Sequence, residues 1–425
     1  MASLFLTAAL AVVTALSAGS VIYLLILLVA AACPPPRRKP SSGASSVPPL
    51  VFAIVIPAHD EELVLAATLS SLALQTYPQS LQEILVVADN CTDATASIAH
   101  AHGATVLERE DQVKRGKGYA LDWALTQILT RSCPPDACVI VDADTWVAPD
   151  FLERMAARLS QQTDSRGFCA VQGRYGVLNA DEGWRAALMA AAFDLFNHVK
   201  PLGRERLRLG VGLKGNGMAL TRALLLAAPW SGESVTEDID YGLNLARHLG
   251  VRVCYAQEAV VRAQMPTTGR QAASQRSRWE GGRYQLLIQH ALPLLLDGLR
   301  RRSVALCDAA VDLMLLPLAE LAGFIALGLF FVIFGLHAHL LHHAHFWALT
   351  VISTAVGLIV YVLGGLRISG ASRVAYTALL RAPFYAAWKF GLYGTNLIRR
   401  RRGSTAWVRT ERAPIVLTEA EKDTP

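Results

Sequence analysis

Residues 4–32 carry no charge. The run exceeds the ~20 apolar residues that a helix needs to cross a bilayer, so it predicts a membrane span. Two further apolar stretches lie far downstream. One covers residues 309–336 and contains Asp312 and Glu320; the other covers residues 346–366. A fourth, residues 376–398, is apolar but holds Arg381, Pro383 and Lys389 and runs into Arg399, Arg400, Arg401 and Arg402. Basic residues at both ends, with Trp388 and several tyrosines, favour a helix lying in the membrane interface over a span. The pattern therefore predicts three spans and one interfacial helix.

Between the first span and the later ones the pattern changes. "VFAIVIP" (51–57) is a continuous apolar run, as in a strand buried on both faces. "EELVLAATLSSLALQ" (61–75) has helical spacing, "EILVVAD" (83–89) reads as a second strand, and "TDATASIAHAHG" (92–103) as a helix capped by Thr92 and ended by Gly103. "ATVLE" predicts a third strand, "GKGYALDWALTQIL" a third helix and "ACVIVDAD" (137–144) a fourth strand. Strands and helices alternating at this spacing imply an α/β fold with a mainly parallel sheet covered on both faces. Ligands of such sheets bind beyond the carboxyl ends of the strands. The polar clusters "PAHDEE", "ADNCTD" and "DADTW" fall there.

The segments divide the chain into a span over residues 1–33, a Pro/Ser linker over 34–49, an α/β domain over 50–302, two spans over 303–373, and an interfacial helix with a basic tail over 374–425. A signal peptide is the rival reading of the first segment, and "VAAAC" before Pro34 faintly resembles a lipoprotein cleavage site. However, no Lys or Arg precedes the run, whereas Arg37, Arg38 and Lys39 follow it. By the positive-inside rule the N-terminus is outside and the α/β domain cytoplasmic, at an inner or plasma membrane. Arg300, Arg301 and Arg302 before the later spans and Arg367 and Arg373 after them agree with that orientation. The link "HAHLLHHAH" (337–345) then faces out, and a polar turn accounts for it without a metal role.

Composition sharpens this picture. Charged residues are only 17% of the 425, below the roughly quarter typical of soluble domains. The net charge of +6 is too small to argue for a nucleic-acid partner, and the basic residues sit beside apolar segments. Seven cysteines without framework spacing read as free thiols in a reducing compartment.

Asp142 and Asp144 end an apolar strand in this reading, and positions i and i+2 of a strand face the same way. Adjacent carboxylates suit a hard cation, Mg²⁺ or Mn²⁺, shared with substrate phosphates. A turn or cap is the competing role for an isolated D-x-D. "GKG" (116–118) lacks P-loop spacing, but Lys117 could reach a diphosphate as a point charge. In "VTEDIDYGLNLARHLG" (235–250), Thr236 suits a helix cap, and Glu237 and Asp238 suit the helix dipole.

In order, "VIPAHDEE", "VVADNCTD", "RGKGYAL", "VDADTWV", "GNGMALTR", "VTEDIDYG" and "QRSRW" resemble the family 2 inverting glycosyltransferases with the D, D, D, QxxRW signature. That group includes cellulose, hyaluronan, chitin and chitin-oligosaccharide synthases. The resemblance covers about 240 residues, from Val51 to about Gln289. It implies a GT-A fold and a UDP-sugar donor. Ala58, His59 and Glu61 match the uridine-contacting turn, Asp89 the aspartate on the base, and Lys117 a basic residue near the diphosphate. Asp142 and Asp144 match the DxD, with Asp144 the more direct metal ligand. Asp238 matches the catalytic base, Gln275, Arg278 and Trp279 match QxxRW, and Arg278 is expected on the diphosphate. Gln275, Trp279 and Glu237 are expected on the acceptor side. The chain departs from the family at Ala88 and Asn90, where "DDG" is usual, and at Asp60, where "PxxNE" has Asn.

What the resemblance implies is an inverting transfer that forms a β-linked poly- or oligosaccharide. A lipid acceptor, as in the ceramide glucosyltransferase-like enzymes, is the alternative. A non-catalytic sugar-nucleotide sensor is a remote third. Trp279 has the rival role of an interface anchor near the membrane.

Overall fold

The computed structural model describes residues 1–34, 49–234, 236–266, 268–389 and 391, with only the backbone of residues 269–278 and 280. The chain forms two compact units. Over the described residues, one contains 1–34, 183–207 and 314–391; the other contains 49–182 and 208–313.

The second unit holds an eight-stranded mixed sheet. Its strands are β1 (Phe52–Ala58), β2 (Gln82–Asp89), β3 (Thr105–Arg109), β4 (Ala137–Ile140), β5 (Thr145–Val147), β6 (Ala170–Val177), β7 (Met218–Thr221) and β8 (Val253–Ala263). Their order is β3-β2-β1-β4-β7-β6-β8-β5. The first four in that order are mutually parallel. β7 runs antiparallel to β4 and β6, and β5 antiparallel to β8. The apolar runs are continuous because β1 and β4 are covered on both faces: Ile54 and Val139 on one face and Val55 and Ile140 on the other are fully buried. The sequence therefore anticipates the four parallel strands closely, and the later antiparallel strands complete an α/β fold.

Two helices start later than expected, and β4 ends earlier, at Ile140. The first helix after β1 spans only Leu65–Ala73, because residues 61–64 form a turn. The helix after β2 spans Thr95–Ala101, and Thr92 does not cap it. The N-cap is Ala94, and Asp93 before it accepts from the Thr95 N–H at 2.9 Å in a local turn. Gly103 follows that helix at φ +76°, as a C-terminal glycine should.

The other unit is helical. Among the described residues, three of its helices are long and apolar enough to cross a membrane: Ala2–Ala32, Leu318–His337 and Ala344–Ser369. The apolar stretch read as one span over 309–336 is divided. Val304–Met314 is a separate helix that lies mostly in the sheet unit, and the crossing helix begins after Pro317. Proline lacks an amide donor and pushes its predecessor out of the helical region, so the break falls there.

Residues 183–207 leave the α/β domain and join the helical unit. They form helices Trp184–Phe193 and Lys200–Arg206 around one wider turn, Asp194–Val199. Gly203 lies against the first membrane helix so closely that a Cβ there would sit 2.2 Å from the Leu27 carbonyl oxygen. The Tyr361 hydroxyl donates to the Leu195 carbonyl at 3.3 Å, tying the insertion to the third membrane helix as well. Lys389, counted in the sequence among the charges of an interfacial helix, is buried, and its Nζ donates to Glu320 at 2.6 Å. Residues 392–398 of that expected helix, and the basic tail, lie outside the described residues.

Candidate active site

Loops from the carboxyl ends of β1, β2 and β4 build the first part of the site. Asp89 ends β2 opposite Arg109, which ends β3. Paired residues on neighbouring strands project to one face, and Arg109 Nη1 donates to Asp89 Oδ1 at 2.5 Å. Both are buried. Arg109 also donates to Asp111 at 2.9 Å and to the Lys114 carbonyl at 2.8 Å, so the guanidinium holds a fixed geometry. Asn90 adds a 3.1 Å bond to the same Asp89 oxygen. His59 Nδ1 lies 2.7 Å from the Asp89 carbonyl. A carbonyl only accepts, so that nitrogen carries the proton. Ala58 is buried at the end of β1, and the Glu61 N–H donates to Thr95 at 2.8 Å. Ala58, His59, Glu61 and Asp89, grouped by sequence, thus fall in one pair of adjoining loops.

Asp60, Cys91 and Asp93 bring ligand atoms within 4.8 Å of one another in these loops. Their carboxylates are engaged by backbone: Asp60 accepts from the Thr92 N–H at 2.7 Å, and Asp93 from the Glu62 N–H at 3.1 Å. Burial raises the Cys91 thiol above its ordinary value, which disfavours a thiolate ligand. The cluster reads as turn architecture.

The second part centres on Gly215. Lys117 opens the helix Lys117–Leu129. Its Nζ donates to the Asp142 carboxylate, and to the Gly215 carbonyl at 2.8 Å. A Cβ on Gly215 would lie 3.3 Å from both Asp238 Oδ2 and Lys117 Nζ. Lys117 therefore links Asp142 to Gly215, and Asp238 lies against the same glycine. Glu237 and Asp238 begin the helix Glu237–Asn244. Burial opposes the Lys117 charge, but Asp142, Glu237 and Asp238 outweigh it and raise its pKa, leaving a fixed cation. Burial raises Asp238, against the pull of Lys117 and Lys214. Burial, then the neighbouring Asp238 charge, pushes Glu237 up to about 7.

Asp142 and Asp144 are not on a strand. β4 stops at Ile140 and β5 starts at Thr145, so the pair occupies the turn between them. The strand argument for a shared face does not apply; the turn places them instead. Thr68 donates to the Ala143 carbonyl at 2.7 Å and accepts from the Thr145 N–H at 3.0 Å. Asn216 accepts from the Asp142 N–H at 3.1 Å and donates to Thr145 Oγ1 at 2.8 Å. Gln172 in turn donates to the Asn216 carbonyl at 2.8 Å. Asp144 is buried and Asp142 partly exposed.

Residues 274–279 lie on the helix Gly269–Arg300. The side chains of Gln275 and Arg278 fall outside the described residues; Trp279 is 39% exposed. Three residues on, a Cβ at Gly282 would lie 2.4 Å from Thr236 Cγ2. This backbone therefore passes directly over the start of the helix that carries Glu237 and Asp238. Thr236 does not cap that helix as expected: its Oγ1 is buried with no hydrogen-bond partner. Its methyl is packed under Gly282 instead.

Arg109, Thr68, Gln172 and Asn216 escaped the sequence reading. Arg109 could have been found from strand register, since it falls opposite Asp89. Thr68 carries no sequence signal and Asn216 lies in "GNGMALTR" without an assigned role, because both act on a turn about 75 residues away.

A family model described as "Glycosyltransferase like family 2" matches residues 48–282, more than half of the chain. The chain belongs to the glycosyltransferase-like family 2. The β-monoglucosyldiacylglycerol synthase of Nostoc sp. is 30% identical over 248 residues, covering 56% of this chain and 50% of its own length. The probable glucomannan 4-β-mannosyltransferase 1 of Arabidopsis thaliana is 24% identical over 253 residues, covering 57% and 45%. The chain thus spans about half the length of the curated relatives it matches. Among solved structures, the mannosyltransferase PcManGT of Pyrobaculum calidifontis, in complex with GDP-Man and Mn²⁺, has a TM-score of 0.50 at 17% identity. It covers 84% of this chain and 98% of its own. At that identity the likeness is one of fold, a GT-A-like mixed sheet with apolar helices.

Proposed function

We propose that this family member is a membrane-bound glycosyltransferase that moves a sugar from a UDP-sugar to an acceptor hydroxyl with inversion. The observation that carries the reading is the Lys117 ammonium bonded to both Asp142 and the Gly215 carbonyl, with Asp238 against the same glycine. A carboxylate, a fixed cation and a second carboxylate stand together at the carboxyl edge of an α/β sheet.

In the proposed reaction the acceptor oxygen forms a bond to the anomeric carbon, and the bond from that carbon to the diphosphate oxygen breaks. The electron pair leaves with the nucleoside diphosphate, and the acceptor proton passes to Asp238. Its raised pKa brings it nearer the working pH, which suits a general base. Lys117 holds positive charge beside the leaving group, and Arg278 is proposed to add a second cation. Ala58, His59, Glu61 and Asp89 are proposed to hold the nucleotide, with Arg109 fixing Asp89. Glu237, Gln275 and Trp279 are assigned to the acceptor. The donor set of Asp142 and Asp144 is all oxygen and fits Mg²⁺ or Mn²⁺. Bound there, the cation would neutralise charge on the diphosphate.

Similarity to β-monoglucosyldiacylglycerol synthases supports a lipid hydroxyl as acceptor. This shifts weight from the saccharide acceptor expected first from the sequence; the glucomannan mannosyltransferase supports that second reading. The proposed topology keeps the sheet unit on the cytoplasmic side.

The test uses the full chain in nanodiscs, a panel of UDP-sugars, Mg²⁺ or Mn²⁺, and either diacylglycerol or an oligosaccharide acceptor. Labelled glycolipid supports the first reading and labelled polymer the second. Tight UDP-sugar binding with no transfer to either acceptor, and no UDP release, would sink the enzyme assignment in favour of a sensor.

A further inference from the structure

The helical unit gathers two guanidinium groups with no acid beside them. Arg185, near the start of the Trp184–Phe193 helix, stacks 4.4 Å from the Trp184 ring centroid and 5.7 Å from that of Trp388. Arg381 lies 5.9 Å from the same Trp184 ring. Tyr385 packs 5.4 Å from Trp388 and extends the aromatic wall. The helices Arg373–Ala378 and Trp184–Phe193, which flank the cluster, pack on each other.

Among the described residues neither guanidinium has a carboxylate partner, and Arg185 Nη1 is buried with no hydrogen-bond acceptor. Glu320 Oε1 accepts from Lys389 Nζ at 2.6 Å. Over its described residues the helical unit holds eight Lys and Arg against three carboxylates, Asp194, Glu205 and Glu320. Two cations over one indole repel, and a buried donor without an acceptor is destabilising. An anion with several acceptor oxygens relieves both. Arginine forks match phosphate oxygens, and Trp and Tyr concentrate at the level of lipid headgroups.

We propose that Arg185 and Arg381, walled by Trp184 and Trp388, form a binding site for the phosphodiester headgroup of an anionic glycerophospholipid. The same chemistry would accept free phosphate. The membrane-crossing helices of this unit favour the lipid, whose acyl chains have an apolar surface beside the site. Exposed Leu380 and Phe384, one and three residues from Arg381, supply part of it. Basic pockets among membrane helices take anionic headgroups by this combination of charge and depth.

The test is retention of lipid by the purified full-length chain, read by native mass spectrometry after exchange into an equal mixture of phosphatidylglycerol and phosphatidylcholine. The expected result is selective retention of phosphatidylglycerol. Arg185→Gln with Arg381→Gln should lower it about tenfold or more, at ~1 kcal/mol per basic residue. Arg373→Gln, also exposed but outside the cluster, should retain it. If the double variant does not fold, Arg381→Gln alone carries the test with a several-fold loss. Equal retention by wild type and variant overturns the proposal. So does stabilisation by inorganic phosphate, lost in the same variants, with no phospholipid retained; that result assigns a phosphate site instead.

Discussion

The ammonium of Lys117 donates a 2.8 Å hydrogen bond to the carbonyl of Gly215. This bond joins the start of one helix to the loop before β7 and leaves the ammonium beside both Asp142 and Asp238. Replacing Lys117 with Met removes the cation that lowers the pKa of both Glu237 and Asp238. Both should then hold their protons to higher pH. The acid limb of the transfer rate should move upward, measured as the pH dependence of kcat; an unmoved limb would separate Lys117 from the base.

Asp238→Asn should lower transfer by ~10²–10⁴-fold, the usual worth of a general base. UDP affinity, measured by calorimetry, should change little. Near-wild-type turnover in this variant rejects Asp238 as the proton acceptor.

Asn216 is fully buried, and its amide serves both the Asp142 N–H and the Thr145 hydroxyl. Asn216→Ala should cost about 1–3 kcal/mol of stability by leaving those groups unsatisfied. Chemical denaturation reads the loss. Divalent-cation affinity should fall alongside it, because the turn holding Asp142 and Asp144 loosens.

Gly282→Ala places a methyl 2.4 Å from Thr236 Cγ2. Overpacking of this kind typically costs about 1–3 kcal/mol. Turnover should fall more than nucleotide affinity, since the displaced element is the start of the Glu237–Asn244 helix. Adding Thr236→Ser removes the clashing methyl and should restore activity. Failure of that rescue would mean the contact does not position Asp238.

Glu237 has a folded pKa of about 7 against an ordinary 4.5. The folded state therefore holds the extra proton between those values. Stability contributed by this group is complete below about pH 4.5 and declines as pH rises towards 7. In metal-free buffer, Glu237→Gln should flatten the fall in melting temperature across that window. A parallel pH profile for wild type and variant would contradict it.

Much of the site was legible because its residues follow strands. Continuous apolar runs located β1, β2 and β4, and the polar residues after them had to meet at one edge. The turn at Asp142–Asp144 reads as strand in the sequence because Val141 continues the apolar run past the end of β4 and still donates to the Val55 carbonyl at 3.2 Å. Its supports, Thr68 and Asn216, were invisible because a threonine inside a helix and an asparagine between glycines look ordinary until the fold brings them to a bare backbone. The pairing of Lys389 with Glu320 was equally hidden, since 69 residues separate them. Local pattern reports burial; it does not report which distant charge provides the partner.

The excursion of residues 183–207 sets a rule for anyone cutting this chain. A fragment of residues 50–302 would carry 25 residues whose packing partners had been left behind, including Gly203 without Leu27 and Leu195 without Tyr361. Such a piece would expose a fresh apolar face and tend to precipitate. The same threading orders biosynthesis: the first membrane helix emerges early, then waits for about 170 residues of chain before Gly203 reaches it.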